Sequence, residues 1–311
     1  MIVLAVQTFR GIIPPVFTPF KPDGEIDEDS FLSLIRFLID NGVHALWIEG
    51  SSGEFSSLTI EERKRLYELS VEEAKNKVPV LAGVSHSSTK IAVELAKYAE
   101  KVGADAVQAT PPFYFQSSQS SLFEHYRAIK EAVSIPVAIY DNVGTTHHTL
   151  SIDLIVKMVK DLEIRTIKIC PYPHQSPLEK AMKLKEILGD EINPIIASAQ
   201  YAYWAFSMGV ADGVISAPLN VAPHEFVEMY EAVKRGDYST AQEIHYKKLL
   251  PLTFYSFFLS REEMIYTQIG KLILKWRGVI SHETVRKPLS PLKDWQIKYV
   301  RSMAEYTGII S

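Results

Sequence analysis

The feature that most constrains this chain is a repeated alternation between short apolar runs and longer amphipathic ones. Eight such pairs follow one another, with apolar runs at 11–17, 45–49, 78–84, 106–110, 136–142, 164–170, 194–198 and 213–217. Each run is short and rich in Val and Ile, and the intervening stretches carry the polar residues. That is the pattern of strands covered on both faces by helices. Helix punctuation agrees: Thr59 with Glu62 predicts a capping box, and Asn41-Gly42, Val102-Gly103, Leu188-Gly189, Met208-Gly209 and Arg235-Gly236 predict helix stops.

Eight strand and helix units within residues 1–236 predict an α/β chain folded as a (β/α)8 TIM barrel. A doubly wound open sheet is the alternative, but no G-x-G-x-x-G follows the first run, so its dinucleotide-binding version loses support. Residues 237–311 show helical periodicity over 240–250, 262–276 and 292–306 and no low-complexity linker, which predicts a C-terminal helical extension packed on the barrel.

Composition narrows the function classes. The 311 residues are 47% hydrophobic, enough for one large core, with a formal net charge of −4. No dense basic stretch interleaves with aromatics, which disfavours a nucleic-acid partner and favours small-molecule chemistry. Cys170 is the single cysteine, so neither an intrachain disulfide nor a cysteine zinc site is available, and a reducing cytoplasmic setting is expected. Residues 1–6 are apolar with no preceding basic residue and do not resemble a signal peptide. No apolar run approaches membrane-spanning length.

Within the sixth run, alternation puts Ile167 and Ile169 on one face and Thr166, Lys168 and Cys170 on the other. If the first face packs on helices, Lys168 points into the barrel. A strand lysine that snorkels to water or pairs with a carboxylate is the commoner arrangement. A desolvated lysine instead has a lowered pKa and a neutral fraction able to attack a carbonyl carbon and form a Schiff base. In the fifth run Tyr140 lies opposite Val137 and Ile139, and would share the interior with Lys168 on the neighbouring strand.

Other candidates fall where a barrel keeps its active site, at the C-terminal strand ends. Gly50-Ser51-Ser52-Gly53-Glu54 is a tight turn whose N–H groups can cup a carboxylate. Pro111 through Phe115 forms a rigid aromatic loop suited either to a pocket wall or to a subunit contact. His147 and His148 lack a third metal ligand at a recognisable spacing, so a surface or substrate-facing role is expected. Cys170 reads as a small pocket wall, because nucleophilic catalysis would need a histidine partner.

These residues, in this order, resemble the pyruvate-dependent class I aldolases typified by dihydrodipicolinate synthase and N-acetylneuraminate lyase. The resemblance spans the chain: Thr18-Pro19-Phe20, the G-S-S-G-E segment where members show G-T-T-G-E or G-S-T-G-E, Pro111 to Phe115, Tyr140, Lys168, and Gly213-Val214-Ile215-Ser216. It implies a barrel with a helical extension, a homotetramer built as a dimer of dimers, and no cofactor other than a covalent imine on Lys168. It further implies Tyr140 as proton shuttle, Ser51 in the relay, and Gly50, Ser51 and Ser52 on the keto-acid carboxylate. Tyr114 matches a tyrosine contributed by a neighbouring subunit, and Ile215 a backbone carbonyl facing the site.

The departures concern the second substrate. Thr145 stands where lysine-pathway synthases carry an arginine that grips the aldehyde's carboxylate. Asp141 and Val143 replace Asn and Pro, Ile169, Cys170 and Pro171 replace polar residues, and Ser198-Ala199-Gln200 replaces a Gly-x-Asp type segment. The expectation is therefore a Schiff-base lyase, or related dehydratase, acting on pyruvate or a related 2-keto acid, including 2-keto-3-deoxy sugar acids, with an aldehyde partner. Alternatives are the lysine-pathway condensation, which Thr145 disfavours, and a non-catalytic keto-acid-binding barrel, which would not require Lys168, Tyr140, Tyr114 and Ser51 together. A phosphate-binding barrel isomerase lacks its glycine-rich cup after the last two strands.

Overall fold

A computed structural model describes residues 9–171, 176–253 and 265–310. All eight expected strands are present: β1 Gly11–Ile12, β2 Leu46–Ile48, β3 Val80–Gly83, β4 Ala106–Ala109, β5 Val137–Asp141, β6 Thr166–Ile169, β7 Asn193–Ile196 and β8 Gly213–Val214. They are parallel, β2 to β8 each pairing with the next in sequence, while β8 returns to β1. Between β1 and β2 the ring is closed by His44 N–H on Ile12 O (2.9 Å), Trp47 N–H on Pro14 O (3.0 Å) and Val16 N–H on Trp47 O (2.9 Å). Pro14 and Pro15 have no N–H to donate, which is why the regular ladder of β1 stops well short of the 11–17 run that the sequence suggests.

Alternation divides the core as anticipated. Val137, Ile139, Ile167 and Ile169 belong to the large apolar layer between barrel and helices. Ile13, Ala45, Trp47, Leu81, Ala138, Tyr140, Ile195 and Ile215 fill the barrel interior. The helix Ile60–Ala74 opens with both halves of the Thr59/Glu62 capping box, and Gly42, Gly103, Gly209 and Gly236 follow their helices at positive φ, as the stop signals require.

After residue 237 the chain forms helices at Tyr238–Ile244, Tyr266–Trp276 and Asp294–Tyr306. Residues 262–264 of the second periodic stretch, and the N-terminal 1–6, lie outside the described residues. The helix Tyr266–Trp276 packs against two turns at the C-terminal barrel face, Ser51–Gly53 and Ala217–Asn220. Among the described residues no helix is long and apolar enough to cross a membrane.

β3 ends at Gly83, where the backbone leaving β2 passes so close that a Cβ would sit 2.5 Å from Glu49 O and 2.7 Å from Ile48 O. Only a residue without a side chain fits there. Gly83→Ala is expected to destabilise the fold by about 1–3 kcal/mol through overpacking against backbone that cannot yield. Urea unfolding measures this, and a loss smaller than about 0.5 kcal/mol would contradict the tight packing.

Candidate active site

β5 and β6 run side by side with Tyr140 opposite Lys168, and Ile195 of β7 occupies the next place in the same row. All three point into the barrel. Lys168 is 4% exposed. Its Nζ lies 3.7 Å from the Tyr140 ring centroid and 5.0 Å from the Trp47 ring centroid. Aromatic faces attract an ammonium but replace its lost hydration only partly. Burial therefore lowers the Lys168 pKa to about 8, with Cys170 acting weakly in the other direction. At pH 7 roughly a tenth of the amine is neutral, against a negligible fraction for a solvated lysine.

The Tyr140 hydroxyl has three hydrogen-bonding neighbours, one of them the Cys170 thiol. Asn142 Nδ2 donates to it at 3.1 Å, and Ser51 Oγ lies 3.3 Å away. Because the amide nitrogen can only donate, the phenol's own proton is directed to Ser51, to Cys170 or to a bound molecule. Burial is the main reason the Tyr140 pKa is raised well above the usual phenol range, so the group stays protonated and can act as a proton donor.

Ser51 and Ser52 form the start of the short helical turn Ser51–Gly53, which the chain holds from several directions. Thr18 Oγ1 donates to Gly53 O at 2.7 Å. Gly50 lies against Trp47, where a Cβ would be 3.2 Å from the indole. Glu54 closes the turn in a left-handed conformation, and its buried carboxylate accepts from Lys271 Nζ and from Arg286 N–H at 3.0 Å.

Ser51 also lines a cavity of about 220 Å³, together with the hydroxyl-bearing Ser56, Thr110, Thr145, Thr146 and Tyr266 and with Phe55 and Phe113. Among the described residues Glu54 is the only charged one in its lining, and Lys271 neutralises it. A larger depression of about 700 Å³, lined by Glu68, Lys75 and Asp105 among others, lies at the ends of Ile60–Ala74 and Thr89–Val102 and contains none of these groups.

The sequence candidates thus separate. Lys168, Tyr140, Ser51, Ser52 and Gly50 come together. Ile215 lies in the barrel interior with its N–H on Ile196 O at 2.9 Å, and Cys170 packs against that same interior. Burial pushes the Cys170 thiol up to about 11, which makes it a poor nucleophile and suits a wall. Thr145 lines the cavity, whereas Ser198, Ala199 and Gln200 do not. Tyr114 is 87% exposed, at positive φ, with its ring on Phe115, so this chain does not bring it to its own Lys168.

His148 differs from its expected surface or substrate-facing role. It is buried, accepts Ser117 N–H at Nε2 (2.7 Å) and has Nδ1 2.7 Å from Thr146 O, so it ties the loops after β4 and β5 together. His147 is exposed, as expected. Among the described residues no cluster of three His, Cys, Asp or Glu could hold a metal. Three contributors were not anticipated. Trp47 could have been inferred from alternation in β2, and Asn142 from its place two residues beyond Tyr140. Tyr266 carries no local signal.

The description of the matching family model is "Dihydrodipicolinate synthetase family", and it covers residues 8–306. A 4-hydroxy-tetrahydrodipicolinate synthase of Bartonella bacilliformis is 33% identical over 302 residues, 97% of this chain and 99% of its own length. The crystal structure of dihydrodipicolinate synthase from Aquifex aeolicus superposes with a TM-score of 0.88 at 29% identity, covering 97% of this chain and 99% of that one. That of YagE, an Escherichia coli K12 prophage protein in complex with pyruvate, gives 0.91 at 26% identity over 98% and 100%. Fold, site and these likenesses converge: the chain belongs to the dihydrodipicolinate synthetase family.

Proposed function

We propose that the protein is a Schiff-base-forming lyase of the class I aldolase type, joining or cleaving pyruvate or a related 2-keto acid and an uncharged, hydroxylated aldehyde. The observation that carries this reading is the Lys168 amine, buried beside the Tyr140–Ser51 hydroxyl pair with a pKa near 8. The turn at Gly50 to Ser52 receives the keto-acid carboxylate through hydroxyl and backbone donors. Neutral Nζ attacks the C2 carbonyl, Tyr140 protonates the departing oxygen as water forms, and the protonated imine withdraws electrons from C3. The bond between C3 and C4 then breaks or forms. No metal or organic cofactor takes part.

The hydroxyl-rich outer cavity, whose one charged described residue is neutralised by Lys271, supports an aldehyde that brings hydroxyls rather than a second carboxylate, as in a 2-keto-3-deoxy sugar acid. The competing reading, condensation with aspartate semialdehyde, draws support from the relatives' name. It requires a cation for the aldehyde's carboxylate, and the described lining residues include none. The same reading takes 1–236 as the barrel and 237–311 as its helical appendage. It takes the exposed Tyr114 and Phe115 as a contact with a second copy in a cytoplasmic homotetramer.

Pyruvate followed by borohydride is expected to leave a reduced pyruvyl adduct on Lys168, seen by peptide mass spectrometry, and none in folded Lys168→Ala. An adduct on another lysine overturns the assignment. Because the neutral amine grows as pH rises through about 8, the trapping rate should increase about tenfold between pH 7 and 9 and then level off. Tyr140→Phe should slow trapping about 100-fold, and an unchanged rate removes its shuttle role. With glyceraldehyde and aspartate semialdehyde compared as partners, higher kcat/KM for glyceraldehyde is expected; the reverse favours the lysine-pathway condensation.

A further inference from the structure

We propose that Asn142 is a positioning residue for Tyr140: its amide N–H holds the phenol oxygen, and holds it more tightly once that oxygen has given up its proton. This inference rests on the Schiff-base reading and deepens it by naming the group that makes a transient phenolate tolerable in the barrel interior.

The case begins with the local backbone. Tyr140, Asp141 and Asn142 follow one another at the end of β5, and their side chains part in alternation. Asp141 turns to Lys180, 2.6 Å away, while Tyr140 and Asn142 share the inner side, where Asn142 Nδ2 donates to the phenol oxygen at 3.1 Å. Asn142 also stands at the N-cap of the short helical turn Val143–Thr146. An asparagine there ordinarily uses its side-chain oxygen to accept the first N–H groups of the helix. Here the side chain makes no such bond. The backbone carbonyl does the anchoring instead, accepting Thr146 N–H at 3.0 Å, Thr145 N–H at 3.2 Å and the Thr146 hydroxyl at 2.9 Å. The side chain is thereby left to Tyr140, and Asn142 is buried, so water competes little for its N–H.

The chemistry shows why an amide suits this place. In the dehydration step the C2–O bond of the carbinolamine breaks and the nitrogen lone pair forms the C=N bond. The oxygen leaves as water with the Tyr140 proton, so a protonated imine and a phenolate arise together. Transfer of a C3 proton to that phenolate gives a neutral enamine and restores the phenol. No oxidant or further reactant is consumed. Burial, which keeps Tyr140 protonated at rest, also makes its phenolate costly. A hydrogen bond to an ionised acceptor is about twice as strong as one to a neutral acceptor, so the Asn142 N–H stabilises the phenolate more than the phenol. Ser51 and Cys170 can each accept as well as donate, whereas the amide nitrogen only donates. A cation in its place would hold Tyr140 ionised and unable to supply the proton.

The test is borohydride trapping with pyruvate on the full chain, using Asn142→Leu, which keeps most of the outline without the N–H, and Asn142→Ala as a second variant should leucine misfit. Each is made in the wild type and in Tyr140→Phe, with thermal unfolding measured alongside. In the wild-type background the maximal trapping rate is expected to fall about tenfold, with the pyruvate concentration for half-maximal rate within about twofold. In the Tyr140→Phe background the same substitution should change the rate less than about twofold, because the oxygen that Asn142 serves is already gone. An unchanged rate in the wild-type background overturns the inference. A loss of equal size in both backgrounds also overturns it, since that is what a structural role alone gives, and so does a loss confined to pyruvate affinity or to thermal stability. Absence of a wild-type adduct overturns the Schiff-base reading and this inference together, whereas a wild-type adduct with an unchanged rate in the Asn142 variants overturns this inference alone.

Discussion

The desolvation of one ammonium group, Lys168, is the constraint around which this molecule is organised. A barrel interior is a poor place for a charge, and the ordinary remedy is a carboxylate beside it. Other buried charges near the catalytic face have that remedy: Arg63 on Glu49 at 2.6 Å, Lys180 on Asp141 at 2.6 Å, and Lys271 on Glu54. Lys168 faces two aromatic rings and a thiol. Among the described residues it is the buried lysine without an ion pair, and burial lowers its pKa to about 8.

The three paired charges are also what hold the site. Arg63 bridges Glu49 to the carbonyls of Gly83 (2.7 Å) and Ser85 (3.0 Å), tying β2 to β3 just below the serine turn. Lys180 joins Asp141, the residue after Tyr140, to Leu150 O at 2.7 Å. Lys271 joins the turn itself to the C-terminal helix. Each pair is attached within a few residues of a group facing the cavity, so the mouth of the barrel is rigid where proton transfer requires it. Asp141 is itself buried, and the buried Lys180 supplies its countercharge.

The pocket has two characters. Its inner side offers the buried amine of Lys168 and phenol of Tyr140 beside the Ser51 hydroxyl. Its outer half offers neutral hydroxyls between Phe55 and Phe113, whose rings meet edge to face at 6.2 Å. Among the described residues a lining of this kind offers hydrogen bonds to hydroxyl groups and contact to carbon faces.

Strand and helix periodicity were enough to read the barrel, the inward Lys168 and Tyr140, and the helix caps, because a residue's face on a strand follows from counting by two and a cap from its immediate neighbours. The serine turn was legible for the same reason, since glycine spacing is local. Tertiary structure decided what depends on distant chain segments. Trp47 covers Lys168 because β2 lies across the barrel from β6, and Tyr266 reaches Ser51 only through a helix more than two hundred residues later. Likewise His148 became a loop tie because Ser117 N–H happened to need an acceptor there. Sequence alone determined which elements form and which way they face. Folding decided which side chains from separate elements share one desolvated space, because that depends on long-range packing that no local pattern encodes.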